Sequence, residues 1–378
     1  MTAPDPSPQR TVRLDSLTGL RWWAAFGVFA FHMRNFAPIR IDPVLEFGND
    51  GVMFFFVLSG FVLTWSARPG VSAVTFWLRR FARIYPSHFV ALLVAIPVFY
   101  SFSPDPSEPW VKPFNLGILA LSVVLVQGWS NVPAILFSGN PAAWTLTCEA
   151  FFYAVHPFIN RFLRTIALRG TFLVALAIVA LGFAYQAAVI AWPTSFVDAP
   201  LPITRLDEFA LGMCAAHAMR MGWRPRLPPF VAYLAGAGFV LWLYLSPRHF
   251  PGGIVGSIIR NSAEEWLVLL CSLLIVTVAA RDLRGGRSLL RWKPLVLLGD
   301  WSYAFYLLHA TIIYAAIETI GVRPGSWFNL AWYAAMLVVA IGCAAALHYV
   351  VERPFERRIR AWWDRRLLRR VEATRDAT

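Results

Sequence analysis

Ten stretches of this 378-residue chain stay apolar for about the twenty residues that an α-helix needs to cross a bilayer. That repetition restricts the fold more than any other feature. The runs lie near 20–37, 51–67, 87–103, 143–160, 171–192, 204–219, 229–246, 262–280, 295–318 and 329–350. Hydrocarbon offers no partner to a backbone N–H or C=O, so apolar runs of this length form helices. With 58% hydrophobic and 15% charged residues and a mean hydropathy of +0.56, the chain is too apolar for a soluble domain. The expected fold class is all-α: a polytopic membrane protein in contact with lipid. Many tryptophans, including Trp22, Trp23, Trp65, Trp77, Trp144 and Trp301, sit near run ends, at headgroup level. Cys148, Cys214, Cys271 and Cys343 fall inside apolar runs without metal-ligand spacing, so they read as small buried hydrophobes and no metal is expected.

A further apolar stretch, 114–138, is interrupted by Gly128 and Pro133 and closed by Gly139. If it enters and leaves on one side, 27 of the 34 Lys and Arg residues fall on the side of the N-terminus; if it crosses, that number drops to 11. The positive-inside rule then favours about ten transmembrane helices, both termini cytoplasmic in the cell membrane, and a re-entrant or interfacial 114–138. Residues 1–13 begin MTAPDPSPQR, which lacks the apolar core of a cleavable signal peptide, and are expected to be a disordered cytoplasmic leader. Residues 14–356 form a single membrane domain. Residues 357–378 are a basic cytoplasmic tail whose interleaved Trp and Leu suit an anionic leaflet. The net charge of +13 is accounted for by orienting loops, so no nucleic-acid partner is expected.

Polar groups inside such runs mark function by default, because each is costly unless it faces a cavity or a partner. Arg21 and His32 lie eleven positions apart in the first run. Eleven helical steps return His32 to within roughly 20° of Arg21 and about 16 Å further along the axis. On the counted topology, Glu149, Arg205, Asp207, Glu208 and His309 share the outer layer with His32. Arg79, Arg80 and Arg83, just before Pro86 and the expected start of the third span, share the inner layer with Arg21. The inner layer reads either as a stop signal whose charges are solvated at the headgroups or as an anion clamp, since guanidinium forks grip phosphate bidentately. A donor with phosphates at one end and a reactive group on a long thin arm would bridge the layers, and coenzyme A has that shape. His32 suits a general base that takes the proton of an acceptor hydroxyl as it attacks the thioester, with Glu149 orienting or stabilising the imidazole.

Seven motifs follow in order: Arg21-x10-His32, GVMFFFVLSGF at 51–61, RRFARIYP at 79–86, WTLTCEAFFY at 144–153, RLDEFALG at 205–212, LGDWSYAFYLLH at 298–309 and YVVERPFE at 349–356. In this set the chain resembles the acyltransferase-3 family of integral-membrane O-acyltransferases, from about Leu14 to Glu356. The resemblance implies transfer of an acetyl or other short acyl group from cytoplasmic acyl-CoA, with acetyl-CoA the first candidate, to a hydroxyl of a carbohydrate or of a small natural product such as a macrolide. It implies His32 as catalytic, Arg21 as essential beside it, and Arg79, Arg80, Arg83 and Tyr85 toward the coenzyme. Arg205, Asp207, Glu208, Tyr303 and His309 are the expected acceptor contacts. Two positions depart from the family pattern: Met53 stands where an acidic residue is frequent, and Thr147 where serine is frequent. The chain also shows no esterase-like extension of the kind some relatives carry. The rival reading is a transporter or flippase, since buried His, Glu and Arg also suit translocation. Ser59 reads as a small residue at a helix crossing, His156 as satisfying a carbonyl freed by Pro157, and Glu352 as a cap paired with basic loops.

Overall fold

The computed structural model describes residues 12–105, 108–192, 199–249, 259 and 262–376. The first eleven residues of the leader expected over 1–13, and the last two of the expected tail, lie outside the described residues. The principal helices are α1 (Asp15–Phe36), α2 (Gly51–Trp65), α3 (Ala73–Phe99), α4 (Leu116–Val123), α5 (Trp144–Leu163), α6 (Leu168–Ala191), α7 (Leu206–Arg220), α8 (Pro229–His249), α9 (Ala263–Leu283), α10 (Lys293–Ile320), α11 (Leu330–Leu347) and α12 (Arg353–Asp376). The only strands among the described residues are two short parallel ones, pairing Tyr100–Ser101 with Lys112–Pro113.

Among the described residues, six helices are long and apolar enough to cross a membrane: Asp42–Trp65, Ala73–Phe99, Leu168–Ala191, Ala263–Leu283, Lys293–Ile320 and Trp327–Arg369. Helix α1 does not meet that measure, because Asp15, Arg21, His32 and Arg34 dilute its apolar residues. It packs against α2, α9 and α10 instead, burying Trp22, Ala25, Val28, Phe29 and Met33 among them. A helix in that position meets little lipid and tolerates polar side chains. Its first turn is held by Asp282 of α9, whose carboxylate accepts from the Ser16 backbone N–H at 2.9 Å and from the Ser16 hydroxyl at 2.6 Å. Helix α6 lies at the other extreme, with Leu173, Leu176, Leu181 and Ile190 all exposed.

Two sequence expectations about α3 and the segment after it meet the structure differently. The third span was expected to start after Pro86, yet α3 begins at Ala73 and runs through both Pro86 and Pro97. Ser72 caps it, its hydroxyl accepting the Thr75 N–H at 3.2 Å. A proline costs one hydrogen bond in a helix, and packed neighbours make that cost tolerable in a membrane protein. The arginines therefore sit on a helix rather than in a loop before one. The interrupted stretch, by contrast, is broken as its Gly and Pro residues indicate, into α4 and the short turns Gln127–Trp129 and Pro133–Leu136. None of these pieces is long enough to cross a bilayer. The start of α3 and the end of α5 line one cavity, so the chain between Phe99 and Trp144 leaves and returns at the opposite end of the bundle. It is buried at Ser122, Gln127, Gly128, Ser138 and Asn140 and supplied there with side-chain partners. Asn140 donates to the Leu307 carbonyl at 2.6 Å, Gln127 to the Ala143 carbonyl at 3.2 Å, and His88 Nε2 to the Ser122 carbonyl at 3.0 Å. Irregular backbone at this depth requires such partners.

Helices α2 and α7 cross at two facing glycines. A Cβ on Gly60 would collide with the Phe209 carbonyl oxygen, and one on Gly212 with the Val57 carbonyl oxygen. Both obstacles are helix backbone, which cannot swing aside. Gly60→Val or Gly212→Val is therefore expected to destabilise the folded chain by roughly 1–3 kcal/mol or more, as overpacking does, read as a lowered melting temperature of the protein in detergent.

Candidate active site

Two histidines from different helices meet at the core of the bundle. His32 of α1 and His309 of α10 approach with His309 Nε2 at 3.3 Å from His32 Nδ1, their rings 4.9 Å apart in an edge-on arrangement. His309 Nδ1 lies 2.7 Å from the Tyr306 carbonyl, and His32 Nδ1 lies 2.9 Å from the Val28 carbonyl. A carbonyl oxygen only accepts, so in the neutral pair each Nδ1 carries its proton. His309 Nε2 is then a lone pair that accepts from His32 Nδ1–H, and His32 Nε2 is a lone pair as well. His309 is completely buried, stacked on Phe305 with an interplanar angle of 11°. These contacts fix the tautomer and the tilt of the His32 ring.

One face of α10 carries this pair down to a second polar centre. Tyr306, whose ring lies 5.6 Å from His309, lines a cavity of about 50 Å³ with Arg21, Glu149, Thr145 and Tyr303. A cavity of about 130 Å³ shares Arg21, Glu149 and Tyr303 and adds Ser59, Arg80, Arg83 and Tyr153. Glu149 accepts from the Tyr153 hydroxyl at 2.8 Å, and the Tyr303 hydroxyl donates to the Ile84 carbonyl at 2.9 Å. Glu149 thus shares the level of Arg21, not of His32, and the imidazole is steadied by His309 in its place. The reason is the starting point of α5: Trp144 is its first residue, preceded by the irregular segment that follows α4. Ser59 faces the cavity, while its neighbour Gly60 makes the helix crossing expected of Ser59.

A third and larger space opens at the end of the bundle where α3 starts. It holds about 710 Å³ and is lined by Arg68, Arg79, Arg80, Arg161, Arg164 and Arg360 among others. Leu63 and Arg80 belong both to this vestibule and to the 130 Å³ cavity. Three chain segments that counting placed on one side, around 68–80, 161–164 and 360, therefore converge here.

The three arginines of the RRFARIYP segment have different partners, Arg79 and Arg83 one turn apart on one face of α3 and Arg80 turned about 100° from Arg79. Arg79 pairs with Asp364 of α12 at 3.2 Å. Arg83 binds the fully buried Glu352 at 2.5 Å and Glu356 at 3.1 Å. Arg80 has no carboxylate partner among the described residues and lies over the Phe76 ring, 5.9 Å from its centroid. Tyr85 stacks on Phe81 at 4.7 Å and lines an apolar groove rather than the vestibule. The expected clamp of three arginines is thus one unpaired cation, one surface pair and one buried pair. Arg68, Arg161 and Arg164 also line the vestibule without an ion pair among the described residues. Sequence reasoning treated them as orienting charges, and their closeness arises only from tertiary folding.

Arg205, Asp207 and Glu208 are not brought to the histidines. Arg205 pairs with Glu208 at 3.0 Å and with Glu264 at 3.1 Å, a cluster joining the start of α7 to the start of α9. His156 Nε2 meets the Thr64 hydroxyl at 3.3 Å and its ring stacks on Phe76, so its partner is a hydroxyl where a freed carbonyl was expected.

A family model described as an acyltransferase domain matches residues 14–349. The chain belongs to the acyltransferase-3 family. The acyltransferase MdmB of Streptomyces mycarofaciens is 35% identical over 373 residues, covering 92% of each chain. The peptidoglycan O-acetyltransferase OatA of Listeria monocytogenes is 24% identical over 358 residues, covering 86% of this chain and 53% of its own length. An O-acetyltransferase OatA of Staphylococcus aureus is 24% identical over 323 residues, covering 79% of this chain and 50% of its own. No solved structure matches the chain. As a member of this acyltransferase family, the protein is an O-acyltransferase.

Several acyltransferase-3 motif positions now have physical roles. Gly60 and Gly212 permit one backbone contact. The ERPFE segment supplies both carboxylates of Arg83, with a π-helical stretch over His348–Glu352 turning Glu352 inward. Met53 lies in an apolar core cluster, and the Thr147 hydroxyl accepts the Gly128 N–H at 3.3 Å. Removing one member of a buried ion pair leaves an uncompensated charge. Arg83→Ala is accordingly expected to cost about 3–5 kcal/mol of stability and Arg80→Ala much less, a contrast measurable by thermal unfolding of the two variants in detergent.

Proposed function

We propose that the protein transfers a short acyl group from acyl-CoA to a hydroxyl acceptor, with His32 as general base. The observation that carries this reading is the His32–His309 contact, which leaves the lone pair of His32 Nε2 available and directed away from its partner. In this reading the coenzyme's phosphates occupy the vestibule, held by Arg68, Arg80, Arg161 and Arg164, and the pantetheine arm passes Leu63 and Arg80 into the cavities beside Arg21 and Glu149. Arg21 and His32 are three turns apart on one face of α1, about 16 Å, a span suited to that arm. The basic vestibule lies on the cytoplasmic side, the bundle crosses the cell membrane about ten times, and residues 14–356 work as one unit.

Transfer then takes few steps. His32 Nε2 accepts the proton of the acceptor hydroxyl while the oxygen attacks the thioester carbonyl. The C–S bond breaks, the thiolate leaves, and the imidazolium returns the proton to sulfur. Positive charge on His32 is met by the lone pair of His309 Nε2, which accepts from His32 Nδ1–H throughout. Arg21, in the cavity beside Glu149, lies along the path of the donor's arm, three turns below His32. The acceptor class is a surface carbohydrate or a small natural product such as a macrolide. The buried Arg205 cluster takes a structural part in this scheme.

The test is release of coenzyme A thiol by the purified full chain with acetyl-CoA and a panel of glycan and macrolide alcohols, without any ion gradient. His32→Ala is expected to lower the rate by about 10²–10⁴-fold while the protein remains monodisperse. Full activity in that variant refutes His32 as base, and failure of the wild type to consume acetyl-CoA favours translocation. Arg80→Ala is expected to raise KM for acetyl-CoA roughly tenfold, the loss of one charge-assisted phosphate contact, with kcat nearly unchanged.

A further inference from the structure

We propose that the end of α5 reads the 3′-phosphate of the donor's nucleotide through Arg161 and Arg164, so that thioesters lacking that group are poor donors. This rests on the acyl-CoA reading above and adds the chemistry by which the donor is recognised.

The vestibule carries more positive charge than the protein itself neutralises. Its lining holds six arginines and one aspartate. Arg79 is paired with that aspartate, Asp364, and Arg360 binds Glu356. Arg68, Arg80, Arg161 and Arg164 have no carboxylate partner among the described residues. Cations are favourable at a helix C-terminus, and Arg161 and Arg164 stand at that end of α5. The helix dipole accounts for neither Arg68, from the chain after α2, nor Arg80 of α3, which line the same space. Arg220, at the end of α7 and donating to the carbonyls of Thr64 and Ala67, adds its repulsion to Arg164. Arg161 and Arg164 themselves lie one turn apart, their Cβ atoms about 5–6 Å from each other, where like charges repel and one anion can bridge them. Guanidiniums gathered against their own repulsion around an open space of about 710 Å³ make a site for a multiply charged anion.

Position within the vestibule divides the phosphates. Arg80 also lines the cavity that holds Arg21 and Glu149, whereas Arg161 and Arg164 line the vestibule alone. In coenzyme A the pyrophosphate adjoins the pantetheine arm, and the 3′-phosphate hangs from the ribose beyond it. A donor whose arm lies toward Arg21 therefore sets its pyrophosphate by Arg80 and its 3′-phosphate on the side of Arg161 and Arg164. The pyrophosphate carries about two negative charges and the monoester about two more. Together they match the four unpaired guanidiniums, and a donor without the monoester leaves the pair on α5 unanswered.

Both side chains are exposed, so the phosphate of an anionic lipid headgroup is the competing source of the same chemistry. Displacement of tritiated coenzyme A from the purified full chain in detergent, by coenzyme A, dephospho-coenzyme A and phosphatidylglycerol, separates the two. The wild type is expected to bind coenzyme A about 10- to 100-fold tighter than dephospho-coenzyme A, the loss of the charge-assisted bonds to one phosphate. That ratio is expected to fall toward one in the double variant Arg161→Gln/Arg164→Gln, and part of the way in each single variant, which serves where the double variant binds too weakly to measure. Arg226→Gln removes an exposed charge that does not line the vestibule, and is expected to leave the ratio as it is. Equal binding of the two coenzymes by the wild type overturns the assignment, as does a ratio that survives the substitutions on α5 or that falls as far in Arg226→Gln. Substitutions that abolish displacement by phosphatidylglycerol without moving the ratio also overturn it, in favour of a lipid headgroup. Absence of saturable coenzyme A binding by the wild type overturns the donor reading itself, and this inference with it.

Discussion

A charged or polar group in apolar surroundings must find a partner or a wet cavity, and this requirement arranges the interior of the protein. Arg83 satisfies it through Glu352 and Glu356, Arg205 through Glu208 and Glu264, and the start of α1 through Asp282. Apart from the Arg205–Glu208 contact at the start of α7, these pairs join helices far apart in sequence, so the polar groups that cost most to bury also specify which helices touch. What remains is a short set of groups turned toward open space. Arg80, Arg21 and Glu149 form that set, and they line the vestibule and the two cavities that share residues with it.

Much of this was legible in the sequence, for reasons that differ by residue. Apolar length located the long helices to within a few residues at α2, α8 and α10, because lipid and protein interiors both select it. Gly128 and Pro133 marked a real break, since neither supports a continuous helix there. Arg21 and His32 fell on one face because that follows from helix geometry alone. Pro86 misled, because proline in a packed bundle interrupts one hydrogen bond without ending the helix. The depth of Glu149 misled too, since it depended on how much chain the broken segment buries before α5 begins. The partner of His32 was the residue least open to inference. His309 stands 277 positions away, and only the packing of α1 on α10 brings it there.

The arginines teach a related lesson about charge counts. Loop arginines were read for their summed effect on orientation, a bulk property that needs no geometry. Folding gives the individual guanidiniums different employments: Arg83 is neutralised as a structural bolt, Arg79 sits in a surface pair, and Arg80 stands at the meeting of three spaces. A motif of like charges on one helix therefore does not act as a unit, because adjacent residues look out at different neighbours and those one turn apart meet different carboxylates.

The wall of the vestibule has a history written into it. Arg360 and Asp364 form part of its lining, and Trp363 donates to the Thr75 hydroxyl at 3.1 Å across 288 residues of chain. While the ribosome is still working, the opening stretch of α3 waits without that counterpart. The mouth of the vestibule is thus completed only by α12, so a chain that stops before that helix lacks one wall of the compartment.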